Sequence, residues 1–272
     1  MLHSFFKFLY RVTDSSRTKI TWWDLSELAL AGLGFLLYFL VRGAVVDRAG
    51  DALEHARMIV DWQAAAGLFV EPQLQEWMLQ SWAAVRVFNF VYFWLDFPLI
   101  IGVGCVMFWR SRPYYTLLRD ACLISGGFAL LIYWSFPVAP PRLLPEWGMV
   151  DTLELYSKLS YQAQSTQPFV NPYAAVPSLH VGWAALLAIS VWLATDNPWV
   201  RVIMVSVFGL QTISVIVTGN HFLFDGLAGL LVCAPALALA LWMQTKGYRV
   251  IRCLIWRAME RFAQPGGTRS QR

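Results

Sequence analysis

Long apolar stretches, separated by short polar segments, recur along most of the chain. A helix needs about 20 apolar residues to cross the hydrocarbon of a bilayer. The pattern therefore predicts an all-α integral membrane protein with six transmembrane helices, at roughly 25–45, 87–109, 120–138, 177–195, 199–218 and 221–243. Because six is an even number, we expect both ends of the chain on the same side of the membrane.

Two segments outside these spans also show helical periodicity. In 52–82 the apolar residues recur at helical spacing on either side of Gly67 and Pro72, which predicts two short amphipathic helices on the outer surface. The basic and apolar residues of the C-terminal tail predict another amphipathic helix, along the inner surface. The predicted domains are a cytoplasmic segment 1–24, a six-helix membrane domain 25–243 with outer helices in 46–86, and a cytoplasmic tail 244–272.

Composition and charge agree with this class and set its orientation. The chain has 272 residues, of which 58% are hydrophobic and 14% charged, more apolar than a soluble domain can bury. With a cytoplasmic N-terminus, 15 of the 21 Lys and Arg residues fall on the cytoplasmic side, as the positive-inside rule requires. We therefore predict a multi-pass protein of the plasma membrane (the cell inner membrane). Its net charge of +4 reflects this topology and predicts no nucleic-acid partner.

Two histidines and an aspartate converge on the predicted outer face. His180 begins the fourth span, and His221 and Asp225 lie where the fifth and sixth spans are joined. Residues four apart share a helix face, and a carboxylate beside an imidazole orients the ring and strengthens its far nitrogen as a base or nucleophile. A structural His–Asp pair is the alternative. Ionisable groups at this depth are costly, however, and usually mark function.

A cation is predicted at the same face. Arg142 follows the third span in "APPRLLP", where neighbouring prolines stiffen the backbone. A guanidinium held in this way suits bidentate binding of a phosphate, although a lone arginine there could equally reach for lipid headgroups. We expect Arg142 to meet both imidazoles in one pocket. Of the other polar residues, Asp96 in the second span is expected to pair with an arginine or stay protonated, and His55 to be interfacial.

These motifs resemble the phosphatidic acid phosphatase type 2 superfamily. The resemblance rests on "PSLH" at 177–180 followed by His221-x-x-x-Asp225. The wider context of "APPRLLP", "DTLELY", "NPYAAVPSLHVGW" and "TGNHFLFDGLAG" is similar to the branch that contains inositol phosphorylceramide synthase and its bacterial relatives. The match extends from about residue 50 to residue 243.

The resemblance implies a membrane enzyme that works through a phosphohistidine, without metal or cofactor. Its pattern makes His221 the nucleophile, Asp225 the residue that orients it, and His180 the general acid. Its partners would be a lipid substrate from the bilayer and either an alcohol acceptor or water. The active site would face away from the cytoplasm.

The phosphate-binding part of the pattern is only partly present. Arg142, Ser178 and the start of the fourth helix are the expected phosphate ligands, with Asn220 as a weaker candidate. The pattern's lysine is missing upstream of Arg142, and Val215 stands where a second arginine is usual. A site poorer in cations favours a phosphotransferase of the inositol-phosphate type over a broad lipid phosphatase. The phosphatase remains an alternative, as do a zinc hydrolase that uses both histidines and Asp225 and, more remotely, a transporter.

Overall fold

The structure, a computed structural model, describes residues 22–43, 48–157 and 171–263. Within these ranges the fold is all-α, and the only β-type pairing is a parallel bridge between Val138 and Ala174. The predicted cytoplasmic segment 1–24 and the last residues of the tail lie largely outside the described residues. The helices are α1 (Trp22–Gly43), α2 (Ala49–Ala65), α3 (Glu71–Leu79), α4 (Trp82–Trp94), α5 (Phe97–Arg110), α6 (Arg112–Ser135), α7 (Thr152–Ser157), α8 (Leu179–Ala194), α9 (Pro198–Val217), α10 (Leu223–Trp242) and α11 (Tyr248–Ala263).

The apolar helices suit a multi-pass membrane protein. In the described part of the chain, α6, α9 and the run Leu223–Arg257 that starts with α10 are long and apolar enough to cross a membrane. α4 and α5 together form a fourth candidate, bent by 48°. The apolar stretches Glu27–Tyr38 of α1 and Leu179–Ala194 of α8 are shorter. Each predicted span thus coincides with an apolar helix or helix pair, but six crossings remain a prediction.

The second predicted span, 87–109, is not one helix. It is divided at Leu95 and Asp96 into α4 and α5, and Pro98 lies in the first turn of α5. A proline has no N–H to donate, and its ring clashes with the carbonyl four residues earlier, so it favours a break in the helix at this position. The break places the carboxylate of Asp96 at a bend, where it can turn toward neighbouring helices.

α8 lies at the centre of the bundle, packed against α6, α9 and α10. Most of its residues are buried, as expected of a helix that is apolar on all sides. It approaches α10 very closely, since a Cβ added to Gly229 would lie 2.1 Å from the carbonyl oxygen of Ser178. At the same crossing the Ser178 N–H donates to the carbonyl of Asp225 at 2.9 Å. The two glycine-lined helices therefore begin side by side.

The outer segment forms two helices, α2 and α3, on either side of a turn at Gly67, whose φ of 69° is left-handed. The predicted helices are present at this position. Three polar side chains, Gln63, Glu71 and Gln75, are buried in the protein, so these helices have a polar contact with the bundle that the sequence does not predict. Their location on a membrane surface, like that of α11 in the tail, remains a prediction.

Candidate active site

The turn between α9 and α10 carries His221 and has a tightly fixed backbone. Gly219 adopts a left-handed φ of 76°, which glycine tolerates because it lacks a Cβ. A Cβ at this position would also lie 2.7 Å from the carbonyl oxygen of Val150. The backbone N–H of His221 donates to the carbonyl of Val215 at 2.9 Å. The imidazole is therefore attached to a rigid support.

The hydrogen bonds of His221 define its tautomer. Its Nδ1 lies 2.9 Å from the carbonyl oxygen of Ala175 and 3.2 Å from Oδ2 of Asp225. A carbonyl oxygen can only accept, so Nδ1 must carry the hydrogen and Nε2 must carry the lone pair. Asp225 is fully buried, and its Oδ2 also accepts from the N–H of Phe222 at 2.8 Å. In the neutral ring, Nε2 is then the basic nitrogen.

The second imidazole lies beside the first. The ring centroids of His180 and His221 are 5.5 Å apart. His180 stacks on Tyr92, with centroids 4.6 Å apart, and its Nε2 lies 3.2 Å from Oδ2 of Asp96. The structure thus gives each imidazole a carboxylate partner. The sequence predicted that Asp96 would pair with an arginine or stay protonated, whereas the structure places its carboxylate beside His180.

Both rings border one small cavity of about 30 Å³. This volume accommodates roughly one water molecule, so the cavity can hold a reacting group but not a lipid. Tyr133 helps to shape it by donating from its hydroxyl to the carbonyl of Pro177 at 2.9 Å. The lining residues are Tyr38, Asp96, Tyr133, Ala174, Leu179, His180, Trp183 and His221.

Ser178 lies directly before α8 and is completely buried. Its Oγ has no hydrogen-bond partner among the residues that the structure describes. The first N–H groups of a helix have no partner within the helix and form a site that favours anions, and Leu179, the first residue of α8, lines the cavity. The hydroxyl and the helix start are therefore suited to holding phosphoryl oxygens.

Arg142 is fixed to the turn between α9 and α10 that carries His221, and it does not line the cavity. Its backbone N–H donates to the carbonyl of Gly219 at 3.0 Å, and its guanidinium donates to Oδ1 of Asn220. Its Nε lies 3.0 Å from Oδ2 of Asp151. The described lining of the cavity does not include Arg142, so the predicted single pocket for the arginine and both imidazoles is not seen. The guanidinium lies next to the residue that precedes His221.

Asn220, the weaker phosphate candidate, is already hydrogen-bonded at both ends of its amide. Its Oδ1 accepts from Arg142, and its Nδ2 donates to Oγ1 of Thr218 at 2.9 Å. Asp151 similarly supports Arg142 while its Oδ1 caps α7, accepting from the backbone N–H groups of Leu153 and Glu154 at 3.0 and 3.1 Å. Both residues hold the guanidinium in place.

α2 and α3 hold the start of α10, directly after the turn that carries His221. Oε1 of Glu71 accepts from the N–H of Leu223 at 2.7 Å, and Oε1 of Gln63 accepts from the N–H of Phe224 at 3.0 Å. Gln63 also donates to Glu71, at 2.5 Å. A carboxylate at a helix start satisfies its free N–H groups and interacts favourably with the helix dipole. The start of α10, which carries Asp225, is thus fixed from α2 and α3.

Some of these residues left a signal in the sequence and others did not. Pro98, which breaks the second span beside Asp96, and the Asp-Thr start of "DTLELY" at Asp151 were both visible. Glu71 lies far from the site in sequence and has no local signal. His55 is elsewhere, with its Nδ1 2.8 Å from the carbonyl oxygen of Pro137 and its ring stacked on Phe136.

Comparison of the sequence with known proteins identifies a family. Among the described residues, no three His, Cys, Asp or Glu side chains are grouped so that they could hold a metal ion, including the pair of histidines and Asp225. A family model described as the PAP2 superfamily matches residues 57–239, a range that contains both imidazoles, their carboxylates and Arg142. No curated protein and no solved structure gives a significant match.

Proposed function

The chain belongs to the PAP2 superfamily, and from this premise we propose that it is a lipid phosphotransferase that works through a phosphohistidine at His221. Membership of this superfamily indicates a phosphatase or phosphotransferase that acts on lipid phosphates. The observation that carries the proposal further is the hydrogen bonding of His221. Ala175 and Asp225 hold Nδ1, so we propose Nε2 as the attacking nitrogen, on a ring that lies beside a second imidazole.

In the first step, Nε2 of His221 attacks phosphorus and forms a P–N bond. The bond from phosphorus to the leaving oxygen breaks, and its electron pair stays on that oxygen. Positive charge that develops on the imidazole is balanced by Asp225, which is bound to the Nδ1 hydrogen. The product of this step is a phosphohistidine and one alcohol.

His180 supplies the proton that the leaving oxygen needs. We propose that Asp96 orients the ring through Nε2 and balances the charge of the imidazolium, and that Nδ1 carries the transferable proton. In the second step the roles reverse: the acceptor hydroxyl attacks phosphorus, its proton passes to His180, and the P–N bond breaks. Such general acid–base catalysis typically contributes about 10²–10⁴-fold.

The charge that builds up on the phosphoryl oxygens needs donors that are already in position. We propose that the N–H groups at the start of α8, where Leu179 lines the cavity, supply them together with the buried Oγ of Ser178, the residue directly before this helix. Arg142 is next to His221 through Asn220, and we propose that it binds a phosphate oxygen that projects beyond the cavity. Its contact with Asp151 keeps the guanidinium in place before substrate binds.

The acceptor decides between two reactions. We propose phosphotransfer to an alcohol, of the type in which the transferred phosphate carries an inositol group. One observation supports it: the cation-poor site, in which Val215 stands at the position of a second arginine. A lipid phosphate phosphatase with water as acceptor is the second candidate, because roughly one water fits the same space.

Product analysis tests this proposal. The purified protein is incubated with phospholipids and isoprenoid phosphates, with and without inositol-type acceptors, and the products are identified by mass spectrometry. We expect products formed by phosphotransfer, with turnover retained in excess EDTA and abolished in His221→Ala. His55→Ala is the matched control because it removes an imidazole outside the cavity, and it should retain turnover. Substantial residual activity in His221→Ala would remove the mechanism.

A further inference from the structure

A second, much larger cavity lies beside the catalytic one. It has a volume of about 460 Å³, within the usual range for small-molecule sites, and is bounded by α1, α5 and α6. We call it the α1 groove. Leu36 and Ile101 on its rim are 45% and 51% exposed, so the groove opens on the outer surface of the bundle. Its lining residues include Gly32, Phe35, Leu36, Phe97, Ile101 and Gly104.

The chemistry of the α1 groove suits a hydrocarbon chain. Aliphatic and aromatic side chains line it from Phe97 to Cys105 along α5, about 12 Å at the rise of an α-helix. At its far end lies Arg119, whose guanidinium is already bound to Glu27 and Asp120. A polar headgroup would find few partners along this wall, whereas a hydrocarbon chain would bury apolar surface throughout.

The α1 groove also adjoins the catalytic cavity. Asp96 lines the cavity, and the next residue, Phe97, lines the groove. Phe35 and Phe97 of the groove contact Trp183 of the cavity, with ring centroids 5.7 and 6.4 Å apart. A ligand that spans both spaces would therefore place its polar end at the imidazoles and its chain along α1.

We propose that the α1 groove binds one long hydrocarbon chain of the lipid substrate while the phosphate lies between His180 and His221. This inference rests on the proposed function, and it names the substrate class as long-chain lipid phosphates. The chain, and not the headgroup, then supplies most of the apolar contact with the protein.

Two glycines on α5 provide a test with a matched control. A Cβ added to Gly104 or to Gly102 would meet no atom within 4 Å, so a side chain can begin at either position without a clash. Gly104 lines the α1 groove and Gly102 does not. Gly104→Leu therefore fills the groove, whereas Gly102→Leu adds the same side chain to the same helix outside it.

The experiment compares a long-chain phosphatidylinositol with its short-chain dibutyryl analogue, and repeats the comparison with phosphatidic acid, the substrate of the phosphatase alternative. For Gly104→Leu we expect kcat/KM to fall at least about tenfold on the long-chain substrate and to stay near the wild-type value on the short one. Gly102→Leu should leave both unchanged. Gly32→Leu, on the opposite wall, should reproduce the selective loss. An equal loss on both substrates, or no loss on either, would overturn the proposal.

A second measurement does not depend on turnover. A long-chain alkyl phosphate with a photoactivatable group at the chain end is cross-linked to the wild-type protein, and the labelled residues are mapped. We expect label on α1 and α5 in the groove, with less in Gly104→Leu than in Gly102→Leu. Label elsewhere would overturn the proposal. If groove residues are labelled but neither substrate is turned over, the proposed function fails and chain binding stands. If groove residues are labelled but Gly104→Leu leaves turnover unchanged, the groove holds a structural lipid and not the substrate.

Discussion

At the residue scale, short-range pairing could be predicted from the sequence and long-range pairing could not. His221 and Asp225 are four residues apart, and the structure joins them at 3.2 Å, although His221 lies two residues before α10 and the pair therefore meets at the helix start and not on one helix face. Asp96 lies in the break between α4 and α5, whereas His180 lies in α8. Their contact at 3.2 Å depends on where α4 and α5 bend, which the apolar pattern of the second span does not reveal.

This second carboxylate leads to a prediction about leaving groups. Asp96→Asn keeps the shape of the side chain but removes the charge beside His180, so protonation of the leaving oxygen should slow. We expect kcat to fall on the order of 10²-fold with alkyl leaving groups, and much less with nitrophenyl phosphate, whose leaving group needs no proton. The exposed Asp61 provides the control Asp61→Asn. Equal losses on both substrates would show that Asp96 does not act through the acid.

At the element scale, the close crossing of α8 and α10 brings the two imidazoles together. The sequence shows Gly182 and Gly229 only as glycines in apolar runs, and nothing in it indicates that they face each other. In the structure a Cβ on Gly182 would lie 3.0 Å from the carbonyl oxygen of Gly229. Long-range packing of this kind depends on how whole helices pair, which local patterns do not determine.

Gly229→Ala should therefore push α10 away from α8. The added methyl would lie 2.1 Å from the carbonyl oxygen of Ser178, and backbone cannot move aside as a flexible side chain can. We expect a lower melting temperature and a loss of turnover. The control is Gly209→Ala in α9, where a Cβ would meet nothing within 4 Å and alanine favours the helix by about 0.5–1 kcal/mol. A normal rate in Gly229→Ala would contradict this account of the crossing.

The outer helices should matter for catalysis as well as for folding. Glu71→Ala leaves the N–H of Leu223 and the amide of Gln63 without their acceptor, a cost of about 1–3 kcal/mol for a buried donor. Because Leu223 begins the helix that carries Asp225, we expect kcat to fall while KM changes less. Glu76→Ala, an exposed position on the same helix, is the control. An unchanged kcat would limit Glu71 to a structural role.

At the scale of the whole molecule, the apolar pattern predicted the helices but not the polar cluster that ties three of them together. Glu27 of α1 binds both Arg112 and Arg119 of α6. Arg119 also binds Asp120. In addition, its guanidinium donates to the hydroxyl oxygen of Tyr248 in α11, at 2.9 Å. The charges compensate one another, which makes burial of the cluster tolerable. In the sequence the arginines count only as cytoplasmic positive charges.

Removal of the shared acid tests the importance of this cluster. Glu27→Ala leaves two largely buried guanidinium groups without a common partner, and breaking a buried ion pair in this way costs about 3–5 kcal/mol. We expect a large drop in thermal stability in detergent, whereas the exposed control Glu54→Ala should behave as wild type. A melting temperature equal to that of the control would show that the cluster contributes little.

The orientation in the membrane remains a prediction of the charge distribution. We expect reporters fused after residue 272 to be cytoplasmic, and a cysteine introduced at the exposed Glu154 to react with a membrane-impermeant thiol reagent in intact cells. The same reagent should reach a cysteine at Gln244, on the opposite side, only after the membrane is permeabilised. Labelling of both positions in intact cells, or an external C-terminus, would contradict the six-span topology.

The most direct test of the account is detection of the phosphoenzyme. The protein is mixed briefly with a phospholipid labelled at phosphorus, quenched in alkali, where phosphohistidine is stable, and digested for mass spectrometry. We predict a single acid-labile phosphate on His221, absent from His221→Ala and present in the His55→Ala control. A phosphate on any other residue, or turnover in lipid without a labelled enzyme, would contradict the central claim.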